Sequence, residues 1–164
     1  MQLRPATLAD ARAIAGIYNE GIADREATFE TRPRTTADVV EWLAEGRPFL
    51  VAEAGGAVLG FARVSGYSDR CVYSGVGEHG VYVARTARGH GAGRSLLDAV
   101  CAAAAADGDH KLTSRIFASN RASRAVHRAA GFEEVGIQRR HGRLDGEWRD
   151  CVLVERLPGE AAVD

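Results

Sequence analysis

The sequence predicts an α/β chain in which a mixed β-sheet carries helices on both faces. Three observations lead there. Strand-like and helix-like segments follow one another in the order β-α-α-β-β-β-α-β-α-β-β, an alternation that buries best as a layered sheet. Gly55-Gly56 separates the strand-like runs FLVAEA and VLGFARVS, which is a hairpin signal. The stretch from Arg94 to about Ala106 repeats its apolar residues with the period of a helix.

In order along the chain, residues 2–4 read as a short strand. Thr7 then caps a helix whose inward face is expected to be Leu8, Ala11, Ile14, Ala15 and Tyr18. Gly21 is expected to open a looser segment, IADREATFETRPRTT. A second helix starts at Thr36, TADVVEWLAEG, and is stopped by Gly46 and Pro48. The hairpin follows, then the polar, turn-rich GYSDRCVYSG, then the strand GEHGVYVA. The next helix should turn Leu96, Leu97, Val100 and Ala104 inward. KLTSRIFA is a strand, SNRASRAVHRAAGF a short helix ended by Gly131, and EEVGIQRR and DCVLVERL a last pair joined through LDGEW. There is no repeat and no linker, so residues 1–164 are expected to form one domain.

Composition narrows the class. Of 164 residues, 46% are hydrophobic and 26% charged, the balance of a soluble globular chain. The net charge of −1 provides no general attraction for nucleic acid or an anionic membrane, so neither is expected as a partner, and any anion site must be local. Cys71, Cys101 and Cys151 form no CxxC and cannot all pair, which suits reduced thiols in a cytoplasm. The first residues lack the apolar run of a signal peptide, and LLDAVCAAAAAD is too short to span a bilayer. The five histidines show no ligand spacing, so no metal is expected.

The most informative segment is ARTARGHGAGRSLL. Glycines this dense beside arginines, just ahead of a helix, suit a bound oxyanion. A P-loop is excluded because no Lys-Ser/Thr pair follows Gly93. A dinucleotide-binding turn is excluded by the GxGxG spacing of Gly89, Gly91 and Gly93, and by their place after the fourth strand. The pattern that fits is R-x-x-G-x-G: Arg88, Gly89, His90, Gly91, Ala92, Gly93, with Arg94 following. Its main-chain N–H groups, reinforced by roughly half a positive charge from the helix dipole, would suit a diphosphate.

This segment resembles the coenzyme-binding motif of the GNAT family of N-acetyltransferases. The resemblance extends along nearly the whole chain: RPATLADARAIAGIYNEG resembles the family's first strand and helix, and NRASRAVHRAAGF its segment beside the coenzyme. ATFETRP, Arg70-Cys71-Val72-Tyr73 and GEWRD resemble the phosphinothricin acetyltransferase subgroup; YNEGIADR, YSDRC and LDGEWRD are similar to its arsinothricin-acetylating kin.

The resemblance implies a mostly antiparallel sheet splayed between its fourth and fifth strands, with acetyl-coenzyme A in the gap. Val81, Tyr82 and Val83 would then meet the pantetheine arm through their backbone. The Val83 N–H would face the thioester oxygen, a preformed donor of the kind that contributes ~3 kcal/mol to a transition state. Asn120 and Ser123 would bond the arm and the diphosphate. Arg85, Arg88, Arg94 and Arg124 are candidates for the phosphates.

Glu78, a carboxylate in an otherwise uncharged strand, would be the general base that takes a proton from the amine. His127 stands where many family members have tyrosine, and would protonate the leaving thiolate or relay a proton to it. Arg70 and Tyr73 would hold the acceptor's anionic end, because a guanidinium offers two donors to two oxygens. Phe29 would wall that pocket, with Glu30, Ser68 and Arg115 as lesser candidates, and Trp148 would pack between subunits or over the pocket.

The implied reaction is acetylation of the α-amine of a glutamate-like toxic amino acid: arsinothricin, phosphinothricin or methionine sulfoximine. A homodimer is implied too. Two alternatives stay open at this point: acetylation of another amine (a protein N-terminus, a polyamine, an aminoglycoside), or a non-catalytic module that binds acyl-coenzyme A.

Overall fold

The computed structural model of the protein describes residues 1–158. Seven strands form one sheet: β1 (Gln2–Pro5), β2 (Phe49–Ala54), β3 (Ala57–Gly66), β4 (Val76–Val83), β5 (Lys111–Phe117), β6 (Glu133–Leu144) and β7 (Glu147–Arg156). Four helices accompany it: α1 (Ala11–Asp24), α2 (Thr36–Ala44), α3 (Ala92–Ala106) and α4 (Arg121–Ala129). The spatial order is β1-β2-β3-β4-β5-β7-β6. Every neighbouring pair is antiparallel except β4 with β5. The element order and the mixed sheet agree with the sequence reading.

The helices take opposite faces. On one, Ile14 and Ile17 of α1 and Val39 of α2 pack against Val51 and Phe61 of the sheet. On the other, Leu96, Leu97, Val100 and Ala104 of α3 are wholly buried against Ala62, Val64, Leu112 and Val152. Those are the four residues expected to face inward. Truncating such a buried leucine to alanine ordinarily costs about 2–5 kcal/mol.

Two local expectations are corrected. Leu8 is 68% exposed rather than inward, because residues 8–10 form a single 3-10 turn and the α-helical phase begins only at Ala11. Asp10 ends that turn, braced by both guanidinium nitrogens of Arg4 at 2.8 and 2.9 Å. Gly21 does not loosen the chain either. Helix α1 runs on to Asp24 and ends at Arg25 in the left-handed conformation. A Cβ on Gly21 would stand 3.1 Å from the Tyr82 ring, so the glycine makes room for that ring inside a helix.

The last hairpin turns at Asp145-Gly146, both with positive φ, and β6 is longer than expected because it runs on to Leu144. Its register slips between Gln138 and Gly142, and Arg140 adopts φ 48° there. Among the described residues no helix is long and apolar enough to cross a membrane.

The pairing of β4 with β5 positions the site. It joins Val76 to Lys111, Gly77 to Leu112 and Glu78 to Thr113, and then stops, although both strands continue. Gly77 allows the close approach: a Cβ there would lie 2.6 Å from Val64 Cγ1 and 2.9 Å from Leu112 Cδ2. Gly77→Ala should therefore destabilise the fold by about 1–3 kcal/mol through overpacking. Gly16→Ala, in α1 with nothing within 4 Å of the new methyl, should stabilise it by about 0.5–1 kcal/mol. Urea denaturation of the two variants should show midpoints moving in opposite directions.

Candidate active site

Where β4 and β5 part, a cleft of about 1070 Å³ opens. One wall is β4. The Ala84 N–H donates to the Leu59 carbonyl of β3 at 2.8 Å, so by strand alternation the main-chain groups of Val83 and Val81 face the other way, into the cleft. The Val83 carbonyl accepts from Arg88 Nε at 3.1 Å, while its N–H has no strand to pair with. Tyr82 sends its ring to the α1 face, between Tyr18 and Phe61, and burial raises its phenol's pKa. The side chains of β4 thus fill the core while its backbone stays available.

The far end of the cleft is the start of α3. Gly89 and Gly91 have φ of 81° and 88°, the left-handed region that glycine enters freely. No side chain caps this helix, and the first N–H bonded back across it is that of Ser95, to the Gly91 carbonyl at 3.1 Å. The N–H groups of Ala92, Gly93 and Arg94 are left pointing along the axis at the cleft. These uncapped donors and the bare backbone before them fit a diphosphate. Residues 87–94 all line the cleft except His90, whose Nδ1 lies 2.9 Å from the Arg88 carbonyl and braces the turn.

The arginines are more committed than the sequence suggested. Asp24, at the end of α1, holds Arg85 at 2.6 Å and Arg88 at 2.8 Å, and both guanidinium groups hold its carboxyl below the usual range. Arg124 is bonded twice to Glu134, at 2.9 and 3.0 Å. Arg94 has only a 3.8 Å pair with Asp98, and both side chains are exposed. Asn120 lines the cleft but also clasps the protein: its carbonyl caps α4 by accepting from the Ser123 N–H, and its amide donates to the Glu26 carbonyl at 2.9 Å. That second bond fixes the loop carrying Phe29.

Phe29 lines the cleft as expected, its ring edge-on to Phe117 at 4.7 Å. Gly142 is tucked beneath it; a Cβ there would come within 2.8 Å of the ring. Glu78 also lines the cleft, with its side chain 40% exposed and one oxygen 3.9 Å from Arg115 Nη1. It is less dehydrated than expected for a carboxylate in that strand.

Arg70 and Tyr73 are not brought to the cleft wall. They sit on the loop before β4, the guanidinium 5.5 Å over the Tyr73 ring and Tyr67 packed beside it. The cleft lining does include Arg115, which faces Glu78, together with His141 and Glu30, which is paired with Arg34. His141 arrives through the irregularity in β6, a tertiary effect with no local sequence signal. Trp148 is 53% exposed, with Arg143 over its ring.

His127 is 3% exposed and has both ring nitrogens engaged. Its Nδ1 lies 2.8 Å from the Ser123 carbonyl and 3.3 Å from the Ser123 hydroxyl. Its Nε2 lies 3.0 Å from Nε2 of His79. His79, which the sequence reading did not single out, is equally buried and packs on Phe132 at 4.6 Å. Burial, and then the neighbouring ring of His127, push the pKa of His79 down to about 3. Burial also lowers that of His127, against the pull of the Ser123 carbonyl. The available signal was alternation: His79 shares its side of β4 with Val81, which packs into the core.

Known proteins share this architecture. Residues 15–132 match the model of the acetyltransferase (GNAT) family. The L-methionine sulfoximine/L-methionine sulfone acetyltransferase of Pseudomonas aeruginosa is 34% identical over 93% of this chain and 92% of its own. Among solved structures, a phosphinothricin acetyltransferase from Sinorhizobium meliloti in complex with acetyl-coenzyme A superposes with a TM-score of 0.91 at 34% identity, over 97% of this chain and 89% of that one. A ribosomal-protein-alanine N-acetyltransferase from Brucella melitensis gives a TM-score of 0.91 at 34% identity, over 96% and 99%. Matched by that family model from residue 15 to 132, and 34% identical to the Pseudomonas enzyme over 93% of its length, the chain belongs to the GNAT acetyltransferase family and is an acetyl-coenzyme A-dependent N-acetyltransferase.

Proposed function

We propose that the protein acetylates the α-amino group of a small glutamate-like toxic amino acid whose far end is an acidic phosphorus or arsenic group, or the uncharged but polar sulfoximine. Phosphinothricin, arsinothricin and methionine sulfoximine are the acceptors to test. The observation that carries this reading is the pairing of a carboxylate, Glu78, with a guanidinium, Arg115, at one end of a cleft whose other end is a row of free amides. The carboxylate suits an amine that must lose a proton, and the guanidinium suits an anionic tail. A polyamine or aminoglycoside would meet the wrong charge at Arg115. The names of the relatives point to the same acceptor class.

Bound along β4, acetyl-coenzyme A supplies the activated acetyl group. The chain does the rest. The N–H groups of residues 89–94 hold a diphosphate, and the Val81 and Val83 backbone aligns an extended arm. The Val83 N–H is the fixed donor for a carbonyl oxygen, and Glu78 accepts the proton of the incoming amine, directly or through a water. Ser123 and His127 both line the cleft; because both nitrogens of His127 are already bonded, the Ser123 hydroxyl is the donor to the leaving group.

The acceptor's anionic end is assigned to Arg115, with Phe29 as the wall and His141 beside it. Arg70 and Tyr73 serve that end only if their loop closes over the cleft. Residues 1–164 act as one domain, in a reducing cytoplasm where exposed Cys71 stays a thiol. The exposed Val135, Ile137 and Trp148 of β6 and β7 provide the face for a second copy.

Glu78→Gln should lower kcat by about 10²–10⁴-fold while the Kd for acetyl-coenzyme A stays nearly constant. Thiol release and calorimetry measure the two quantities, and an unchanged kcat at saturating acceptor across the pH range removes Glu78 as the base. Arg115→Ala should raise KM for an acidic acceptor much more than for acetyl-coenzyme A, and more than Arg70→Ala does. The reverse order would return the clamp to Arg70. Binding of acetyl-coenzyme A with no thiol released by any acidic amino-acid analogue would reduce the protein to an acyl-coenzyme A-binding module.

A further inference from the structure

The two buried histidines constrain each other's protons. A carbonyl can only accept, so the nitrogen of His127 that faces the Ser123 carbonyl at 2.8 Å must carry a hydrogen. In a neutral ring the other nitrogen is then bare. That bare Nε2 lies 3.0 Å from Nε2 of His79, a contact that is attractive only if His79 carries its hydrogen there. The Nδ1 of His79 must in turn be bare, and it is the ring nitrogen that makes no hydrogen bond among the described residues. The arrangement is therefore directional, with each N–H aimed from β4 towards the cleft. Its last member is Ser123. With the His127 N–H 3.3 Å from its oxygen, that hydroxyl is placed to accept from the imidazole and to keep its own hydrogen for the cleft it lines.

We propose that His79 is a positioning residue: by donating from Nε2 to His127 it pins the hydrogen of His127 on Nδ1, and so turns the hydroxyl hydrogen of Ser123 into the cleft. The inference rests on the acetyl-transfer reading only for what the hydroxyl meets there. It replaces His127 as an imidazolium acid with a neutral His79–His127–Ser123 chain of donors. The surroundings permit this. Besides each other, the two rings are faced by the apolar ring of Phe132 and, at His79, by the backbone of Thr113 in β5, which is not in hydrogen-bonding geometry with Nδ1. Of the charged side chains of α4 and β6, Arg124, Arg128 and Glu134 pair with one another. Glu78 extends from the opposite side of β4 and faces Arg115.

The test is nitrogen-15 NMR of the imidazole rings in the ligand-free protein at neutral pH, followed by kinetics of two variants. The expected spectrum has hydrogen on Nδ1 alone in His127 and on Nε2 alone in His79, with a coupling across the Nε2–Nε2 hydrogen bond. Hydrogen on Nε2 of His127, or on both its nitrogens, overturns the proposal. His79→Gln, whose amide can still donate, should keep kcat close to that of the native enzyme. His79→Leu, which cannot, should lose kcat with little change in the KM for acetyl-coenzyme A. Equal losses in both variants also overturn it. The spectrum needs neither coenzyme nor acceptor, so it stands if His79→Leu fails to fold. For the same reason, absent acetyl transfer beside an intact spectrum refutes the functional reading and leaves this one standing.

Discussion

The β4–β5 ladder stops after Glu78 and Thr113, and the rest of the site follows from that. Backbone groups in a sheet are normally used up by their neighbours, and leaving them unpaired in a dry place is costly. Here the cost is tolerable because the unpaired segment borders a cleft that an extended ligand can enter as a strand would. Both faces of the sheet hold the gap open. Tyr82 is locked against α1 and α2 on one side, and Val81 packs with α3 and α4 on the other. The two strands cannot close up without dislodging one core or the other. Glu78, the unpaired Val83 N–H and the start of α3 are thus carried on elements that each core holds rigid.

What this cleft offers an anion is oriented main-chain amides more than free side-chain charge. Three of the four arginines near it are already bound to carboxylates, two of them sharing Asp24. The fourth, Arg94, is exposed, where a charge is worth little. Amides at a helix start are already oriented, so they lose no side-chain entropy when a ligand arrives. That is the physical use of the three glycines. They bring the chain in close and leave the donors uncovered.

The fold was legible wherever one strong local signal governed a segment. The face of α3 follows from its periodicity, and the two hairpins follow from Gly55-Gly56 and Asp145-Gly146. Legibility failed where a distant partner decided. Leu8 was misjudged because a single tight turn shifted the helical phase. Gly21 looks like a helix breaker until the Tyr82 ring is seen to need its missing Cβ. In the site, the cradle from Arg88 to Gly93 was readable because its chemistry lies in consecutive residues. His79 was not, since its partner is 48 positions away. Arg115 comes from β5 and His141 from the irregular path of β6 to line the cleft, while the loop before β4 leaves Arg70 and Tyr73 outside its lining, in a direction no short motif encodes.

Burying two imidazoles has a thermodynamic cost that appears only in acid. The pKa of His79 in the fold, about 3, lies below its ordinary 6.5, so between those values the unfolded chain binds more protons than the native one. Its contribution to stability is whole above about pH 6.5 and drains away as the pH falls towards 3, with a slope of up to about 1.4 kcal/mol per pH unit. His127, depressed in the same direction, adds to the loss. Proton linkage therefore makes the molecule acid-labile through the same pair that orders its cleft, and ties its working range to neutral and alkaline conditions, where an amine acceptor also loses its proton most readily.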